Sequence, residues 1–477
     1  MPQDINFSQE VNKRKDELIN DLSNLLSIKS VKDLDSATDK RPMGNKIGEA
    51  LDWMLNLAEK DGFQIDQLDG YVGWVDLGEG EEEIVTLGHL DVVPAPGQWS
   101  HNEPFEPLVK DGKLYARGAI DDKGPTMAAY YAMKVLKELD LPLKRRIRLI
   151  LGTDEESGMR CMKKYVETFG SPKYGFSPDA DFPIIYAEKG QINAKIAMDI
   201  TESNEKDVLH LTYLQSGERG NMVPDHVTAH IRGPKEKLEA MKKDFKTYCE
   251  KESLLGDTQY KSDNELELSL NGKTVHGMEP FNGINAALKL VPFLTPYEWD
   301  NQSSNYLHFI QDMLCDDFYG NNMGIAVNHD EVGPLTVNAG AFRYELGDQA
   351  EVHLNIRCPV GTDYDQSLEN IQKASETYQM ELRGVRTKDP HYVDRDHPTI
   401  KIMQNAYETE TNEEPTLLTT GGATYARFLK NGVAYGASFP GKTMTAHQVD
   451  EHIEVDDLLK ATAIYARALY DLANEPF

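Results

Sequence analysis

Histidines and carboxylates recur along this chain at the ends of strand-like runs, in types that suit a divalent metal. The first group is Gly88-His89-Leu90-Asp91-Val92-Val93-Pro94. In extended backbone, residues two apart face the same way, so Asp91 can reach the His89 ring nitrogen that is not on a metal. The second is Arg117-Gly118-Ala119-Ile120-Asp121-Asp122-Lys123-Gly124-Pro125, where an Asp serves either as ligand or as helix N-cap. The third, Gly152-Thr153-Asp154-Glu155-Glu156-Ser157-Gly158, puts consecutive carboxylates at a strand end. Converging carboxylates repel unless a cation lies between them; a solvated acidic loop is the alternative. Ser177-Pro178-Asp179-Ala180 and Ala446-His447-Gln448-Val449-Asp450-Glu451 each add a candidate. Each motif alone has a structural explanation, and only their joint occurrence points to a metal site.

The elements that must position these groups follow from periodicity. Glu83-Ile84-Val85-Thr86-Leu87 and Arg146–Leu151 read as buried strands ending at His89 and Gly152. Residues 7–27, 46–61, 124–139 and 455–473 carry helical spacing, and Pro125 suits a first turn. Strands alternating with helices predict an α/β layered domain. The middle reads differently: strand-like runs Val208–Leu214 and Glu351–Ile356 lie among helical patterns at 235–250, 283–292 and 366–378. The expected organisation is a catalytic α/β sandwich domain from 1–187 and 386–477, interrupted by an α+β lid domain, 188–385, built of two small sandwiches.

Composition narrows the partners. Net charge is −29, which excludes the basic patches that nucleic acid requires. No run approaches a membrane span, and the N-terminus lacks a basic region followed by an apolar one. Cys161, Cys249, Cys315 and Cys358 are far apart and form neither a disulfide framework nor a thiolate metal site. A cytoplasmic location with no membrane or nucleic-acid partner is the expectation.

Taken together, and in this order, the motifs resemble the M20 family of co-catalytic metallopeptidases. Gly220-Asn221-Met222-Val223-Pro224, Gly272-Lys273-Thr274-Val275-His276-Gly277 and Gly283-Ile284-Asn285-Ala286 extend the resemblance through the insert. Gly-His-Leu-Asp-Val-Val-Pro from Gly88, Phe176-Ser177-Pro178-Asp179-Ala180-Asp181-Phe182-Pro183 and Thr420-Gly421-Gly422-Ala423-Thr424-Tyr425-Ala426-Arg427 bring it closest to the bacterial dipeptidase subgroup typified by peptidase V. That resemblance implies that Asp121 bridges two metals, His89 and Asp179 complete one site, and Glu156 and His447 the other. Asp91 would orient His89, and Glu155 would act as general base. His276 would stabilise the oxyanion, Arg357 would clamp the substrate carboxylate, and Gly421, Gly422 and Asn221 would add contacts. A cis Asp121–Asp122 bond is also implied.

The donor set suits two Zn²⁺, with Mn²⁺ or Co²⁺ compatible. The implied activity is hydrolysis of dipeptides with a free amino terminus, β-alanyl dipeptides included, by a monomer. An M20 N-acyl amino acid deacylase or desuccinylase is the alternative, and a catalytically dead binding protein conflicts with the intact ligand set and Glu155.

Overall fold

The computed structural model describes residues 5–477. They divide into two compact units: one runs to Ala187 and resumes over His391–Phe477, and the other is Glu188–Pro390. The expected return at 386 falls inside strand Glu381–Lys388, which pairs with Gly190–Asp199 and therefore stays with the insert. None of the described helices is long and apolar enough to cross a membrane.

The first unit is built on a mixed sheet whose strands run in the order Gln64–Leu68, Val72–Leu77, Arg146–Gly152, Glu83–His89, Tyr174–Ser177, Asn431–Ala434, Ile184–Glu188 and His391–Tyr392. Its centre is parallel: Glu83–His89 lies between Arg146–Gly152 and Tyr174–Ser177, and Asn431–Ala434 continues beyond. The run Ile84-Val85-Thr86-Leu87 is fully buried, as a parallel strand covered on both faces must be. Val85 and Leu87 pack with Trp74, Ile150, Met162, Tyr165 and Tyr425 on one face. On the other face Gly88 lets helix Lys123–Glu138 pass close, because a Cβ there would lie 2.1 Å from Thr126 Oγ1. Gly175, at φ +147°, is required for a similar reason: a Cβ would lie 1.7 Å from Val85 O in the neighbouring strand.

Chain order makes Glu83–His89 a switch point. The chain leaves it for Arg146–Gly152 through helix Lys123–Glu138, then crosses to its other side, Tyr174–Ser177, through helix Arg160–Phe169. Open α/β sheets bind ligands at the carboxyl ends of strands beside such a point. His89 ends the central strand, Glu155 and Glu156 follow Gly152, and Asp179 follows Ser177. Lys123–Glu138 is buried from Lys123 through Leu136 and packs on Val455–Asn474.

The second unit is built on an eight-stranded antiparallel sheet. Its order is Leu255–Ser262, Glu265–Asn271, His226–Arg232, His210–Ser216, Thr336–Glu345, Gln349–Cys358, Gly190–Asp199 and Glu381–Lys388. The two expected sandwiches are thus halves of a single sheet, joined where His210–Ser216 pairs with Thr336–Glu345. Each half carries a helix between a central strand and its edge strand: Lys235–Glu252 in one, Tyr364–Glu376 in the other. One hydrophobic cluster spans both, including Leu211, Val227 and Leu268 with Val337, Leu354 and Ile192. Helix Ala286–Leu294 begins three residues later than its periodicity suggests, because Asn285 caps it and Ile284 bridges Lys273. Helix Asn301–Met313, capped by Asp300, has no counterpart in the sequence reading.

Candidate metal centre

Two donor groups form where the parallel strands end. His89, Asp121 and Asp179 make one, and Asp121, Glu156 and His447 the other; within each, the donor atoms all lie within 4.8 Å of one another. Asp121 belongs to both. Its Oδ1 is 3.1 Å from His89 Nε2 and its Oδ2 is 2.9 Å from His447 Nε2. Asp179 Oδ2 is 3.6 Å from His89 Nε2, and Glu156 Oε1 is 3.0 Å from His447 Nε2. His447 adopts φ +65°, a left-handed backbone uncommon for a residue with a side chain and concentrated at functional sites. The Asp121–Asp122 peptide is cis.

The electrostatics fit a cation. Burial and the nearby Asp121 carboxylate push Asp179 up to about 7. Burial, then Asp179, Glu156 and Asp121, raise Glu155 well above the carboxylate range, and burial with Asp121 raises Glu156. Burial opposes charge on His89, yet Asp121, Asp179 and Asp91 together hold its pKa well above the imidazole value. Hydrogen bonds to Asp121 and Glu156 lift His447 to about 11. Carboxylates outnumber imidazoles here and disfavour one another's ionisation. Positive charge at the shared oxygens of Asp121 removes that conflict, and mixed imidazole and carboxylate donors suit Zn²⁺, Mn²⁺ or Co²⁺.

His89 and the segments beside the donor groups are held by their surroundings. His89 is fully buried, its ring edge-on to Tyr425 with centroids 6.1 Å apart. Its Nδ1 lies 2.9 Å from the Asp91 backbone carbonyl and 3.5 Å from the Asp91 carboxylate. Asp91 also meets the acidic loop: its carboxylate accepts the backbone amides of Glu155 and Glu156, each at 3.1 Å, while its carbonyl lies against the histidine. Asp122 stands at the N-cap position of Lys123–Glu138, but its side chain accepts from His89 N at 3.1 Å and Thr126 Oγ1 at 2.9 Å instead of capping. Asp154, fully buried, pins the acidic loop. Its Oδ1 accepts from Lys32 Nζ and Ser157 Oγ, each at 2.6 Å, and its Oδ2 from Arg160 N at 3.1 Å and Arg160 Nε at 3.0 Å. Lys123 Nζ, also buried, donates to the carbonyls of Leu25 and Ile28 at 3.1 and 2.7 Å; burial lowers its pKa to about 7.

Gly421 and Gly422 follow strand Leu417–Thr420 in this unit. Gly422 N donates to Thr420 Oγ1 at 3.0 Å, so that amide already has a partner of its own.

The second unit assembles the remaining candidates on its own loops. Gly277 N donates to Asn221 O at 2.7 Å, and Met222 bridges His276, so the Asn221 and His276 loops run side by side. Met278 N donates to His276 Nδ1 at 3.2 Å, which leaves the neutral ring's proton on Nε2. Asn338 Nδ2 donates to Gly220 O at 2.7 Å and Met222 O at 2.9 Å, beneath the same loops. Arg357 is 4% exposed; its Nε donates to Asn355 Oδ1 at 2.8 Å, and Asn355 Nδ2 to Asn193 Oδ1 at 2.6 Å. Asn338, Asn355 and Asp154 were not singled out by sequence. Asp154 was visible as the first acid of its triplet, but nothing local marks Asn338 or Asn355.

A Bacillus subtilis (strain 168) protein named "Putative dipeptidase YtjP" is 42% identical over 98% of this chain and 100% of its own length. A Staphylococcus aureus (strain USA300) protein with the same dipeptidase designation is 38% identical over the same shares. The fold matches the yeast Saccharomyces cerevisiae di-peptidase Dug1p, with a TM-score of 0.58 at 13% identity over 99% of this chain and 98% of that one. It also matches human carnosine dipeptidase 1, at 0.56 and 15% over 98% and 99%. The profile of peptidase family M20/M25/M40 covers residues 85–471, and the chain belongs to that family.

Proposed function

We propose that the protein is a cytoplasmic di-metal dipeptidase, close to the peptidase V subgroup, acting on dipeptides with a free amino terminus, β-alanyl dipeptides included. The observation that carries this reading is the pair of donor groups sharing Asp121, in a chain whose full-length relatives bear a dipeptidase designation. His89, Asp121 and Asp179 would hold one cation, and Asp121, Glu156 and His447 the other. When bound, two divalent ions, Zn²⁺ for preference with Mn²⁺ or Co²⁺ as substitutes, supply Lewis acidity and lower the pKa of water.

The chain's own groups do the rest. Glu155 takes the proton of the attacking water and returns it to the leaving amine. Burial and neighbouring carboxylates raise its proton affinity, which a base in this role needs. Asp91 fixes Glu155 relative to Glu156 through their adjacent amides. His276, with its ring proton on Nε2, donates to the developing oxyanion. Arg357 pairs with the substrate's C-terminal carboxylate, a planar fork matched to a planar anion. Asn221, Gly421 and Gly422 are further substrate contacts. One chain supplies both halves of the inserted sheet, which supports a monomer as the active form.

The test is a substrate panel on chelator-treated protein with each metal added back. Dipeptides should be cleaved, while tripeptides and N-acyl amino acids are largely spared, and light scattering should give a monomer mass. Hydrolysis of N-acyl amino acids with dipeptides untouched would make the protein a deacylase.

A further inference from the structure

Glu451 takes no part in the chemistry proposed above, yet its carboxylate is among the most heavily bonded groups in the first unit. It is fully buried. Its Oε2 pairs with Arg117 Nη1. Its Oε1 accepts the backbone amides of Gly118 at 3.0 Å, Ile120 at 3.1 Å and Asp121 at 3.3 Å. Its own carbonyl accepts from Ala116 N at 3.1 Å. One residue thus gathers four of the six backbone amides from Ala116 to Asp121, the residue common to both donor groups.

The same residue is tied to the other ligand loops. It lies four positions after His447 and directly before strand His452–Glu454, which pairs with Lys113–Tyr115. Arg117 is buried too; its Nη2 lies 3.5 Å from Pro94 O, and its guanidinium stands 5.7 Å from the Trp99 ring, both on the segment after His89 and Asp91. A single ion pair therefore joins the segments bearing His89, Asp121 and His447. A carboxylate suits the task because it only accepts, and every group facing it donates.

We propose that Glu451, with Arg117, is a positioning residue for the metal centre: it sets the Asp121 loop against the His447 loop so that Asp121 can serve both donor groups. The proposal rests on the reading of Asp121 and His447 as metal ligands. Groups behind the ligands typically change metal affinity by about 10–100-fold when altered.

Glu451→Gln tests it, because the amide –NH₂ must face either Arg117 or the loop amides, donor against donor. Metal affinity of the folded protein is measured by competition with a chelator well below its melting temperature, together with the visible spectrum of the Co²⁺-loaded protein. Expected results are an affinity loss of about tenfold or more, an altered cobalt spectrum, and a fall in kcat with little change in dipeptide KM. Arg117→Gln introduced alongside supplies an acceptor for the new –NH₂ and should recover much of the affinity. A lower melting temperature with wild-type affinity and cobalt spectrum would reduce the pair to a structural tie and overturn the proposal. Should the Gln variant not fold, Arg117→Lys decides: unchanged affinity and spectrum there overturn it equally. Asp121→Ala in the same titration separates the two readings. If it leaves metal binding intact, the ligand assignment fails; if it abolishes binding while Glu451→Gln does nothing, only the positioning role fails.

Discussion

In the first unit, the loops around the two donor groups are held by ions. Asp154 takes Lys32 and Arg160, Glu451 takes Arg117, and Lys123 reaches the carbonyls of Leu25 and Ile28. In the inserted unit, neutral amides have the equivalent task. Asn338 holds the Asn221 and His276 loops through two carbonyls, and Asn193 and Asn355 form a chain that ends on Arg357. The loops themselves explain the difference. Around the donor groups they turn backbone amides inward, and a carboxylate can accept several at once; cations must then balance it beside a cluster that is already acidic. The loops of the insert turn carbonyls toward Asn338, and only a donor such as –NH₂ can serve those.

The largest effect belongs to the chemistry that the ionic scaffold serves. Glu155→Ala should keep its bound metal and lower turnover by about 10²–10⁴-fold, as loss of a general base does. Glu156→Ala should instead lose metal, by elemental analysis. Swapped phenotypes would reverse the assignment within the pair and shift the meaning of the Asp91 contacts to both amides.

Exchanging the two scaffolding chemistries tests the comparison directly. Asp154→Asn puts –NH₂ among the donors Lys32 Nζ, Ser157 Oγ and Arg160 N. Asn338→Asp puts a carboxylate oxygen against the carbonyls of Gly220 and Met222. Each swap preserves shape, and each should cost about 1–3 kcal/mol in denaturant unfolding through a buried group left facing its own kind. If either is tolerated without loss, the distinction between ionic and amide scaffolds is wrong at that site.

A smaller, more local effect is expected from Asn338→Ala. The Asn221 and His276 loops lose their shared donor, while the two candidate donor groups, both in the other unit, are untouched. Catalytic efficiency on dipeptides should fall by about tenfold, equivalent to ~1.4 kcal/mol, with metal content unchanged. Metal loss in this variant would show that the two scaffolds are not independent.

How far the sequence reveals this arrangement depends on which force fixes each residue. Donor residues at the ends of apolar parallel strands are legible, because Ile84–Leu87 and Arg146–Leu151 announce buried strands, His89 closes the first and Glu156 lies in the loop after the second. Glu451 is not. It lies in an acidic stretch with Asp450, Glu454 and Asp456, and only the tertiary position of Arg117 decides which acid turns inward. The contacts of Asp91 to the amides of Glu155 and Glu156 are hidden for the same reason, since those partners are more than sixty residues away. The joining of two sandwiches into one sheet was equally hidden, since His210–Ser216 meets Thr336–Glu345 across more than a hundred residues of sequence.

The smallest effect sets the lower bound of the comparison. Arg41 Nη2 lies 2.7 Å from Asp52 Oδ2, as short as many of the buried contacts, but both side chains are well exposed, at 37% and 53%. Water solvates either partner when the other is gone, so Asp52→Asn should change stability by no more than about 1 kcal/mol. Arg41 itself is different, because its stem covers Gly48 on helix Asn45–Lys60: a Cβ at Gly48 would lie 2.5 Å from Arg41 Cγ. Arg41→Met, which keeps the stem and removes the charge, should therefore behave like Asp52→Asn, whereas Arg41→Ala should cost more through lost packing. Equal losses in Arg41→Met and Arg41→Ala, matched by Asp52→Asn, would show that an exposed ion pair alone carries weight here. The ionic scaffold of the first unit would then owe its strength to charge in general, and burial, on which the contrast between the two units depends, would not be the deciding variable.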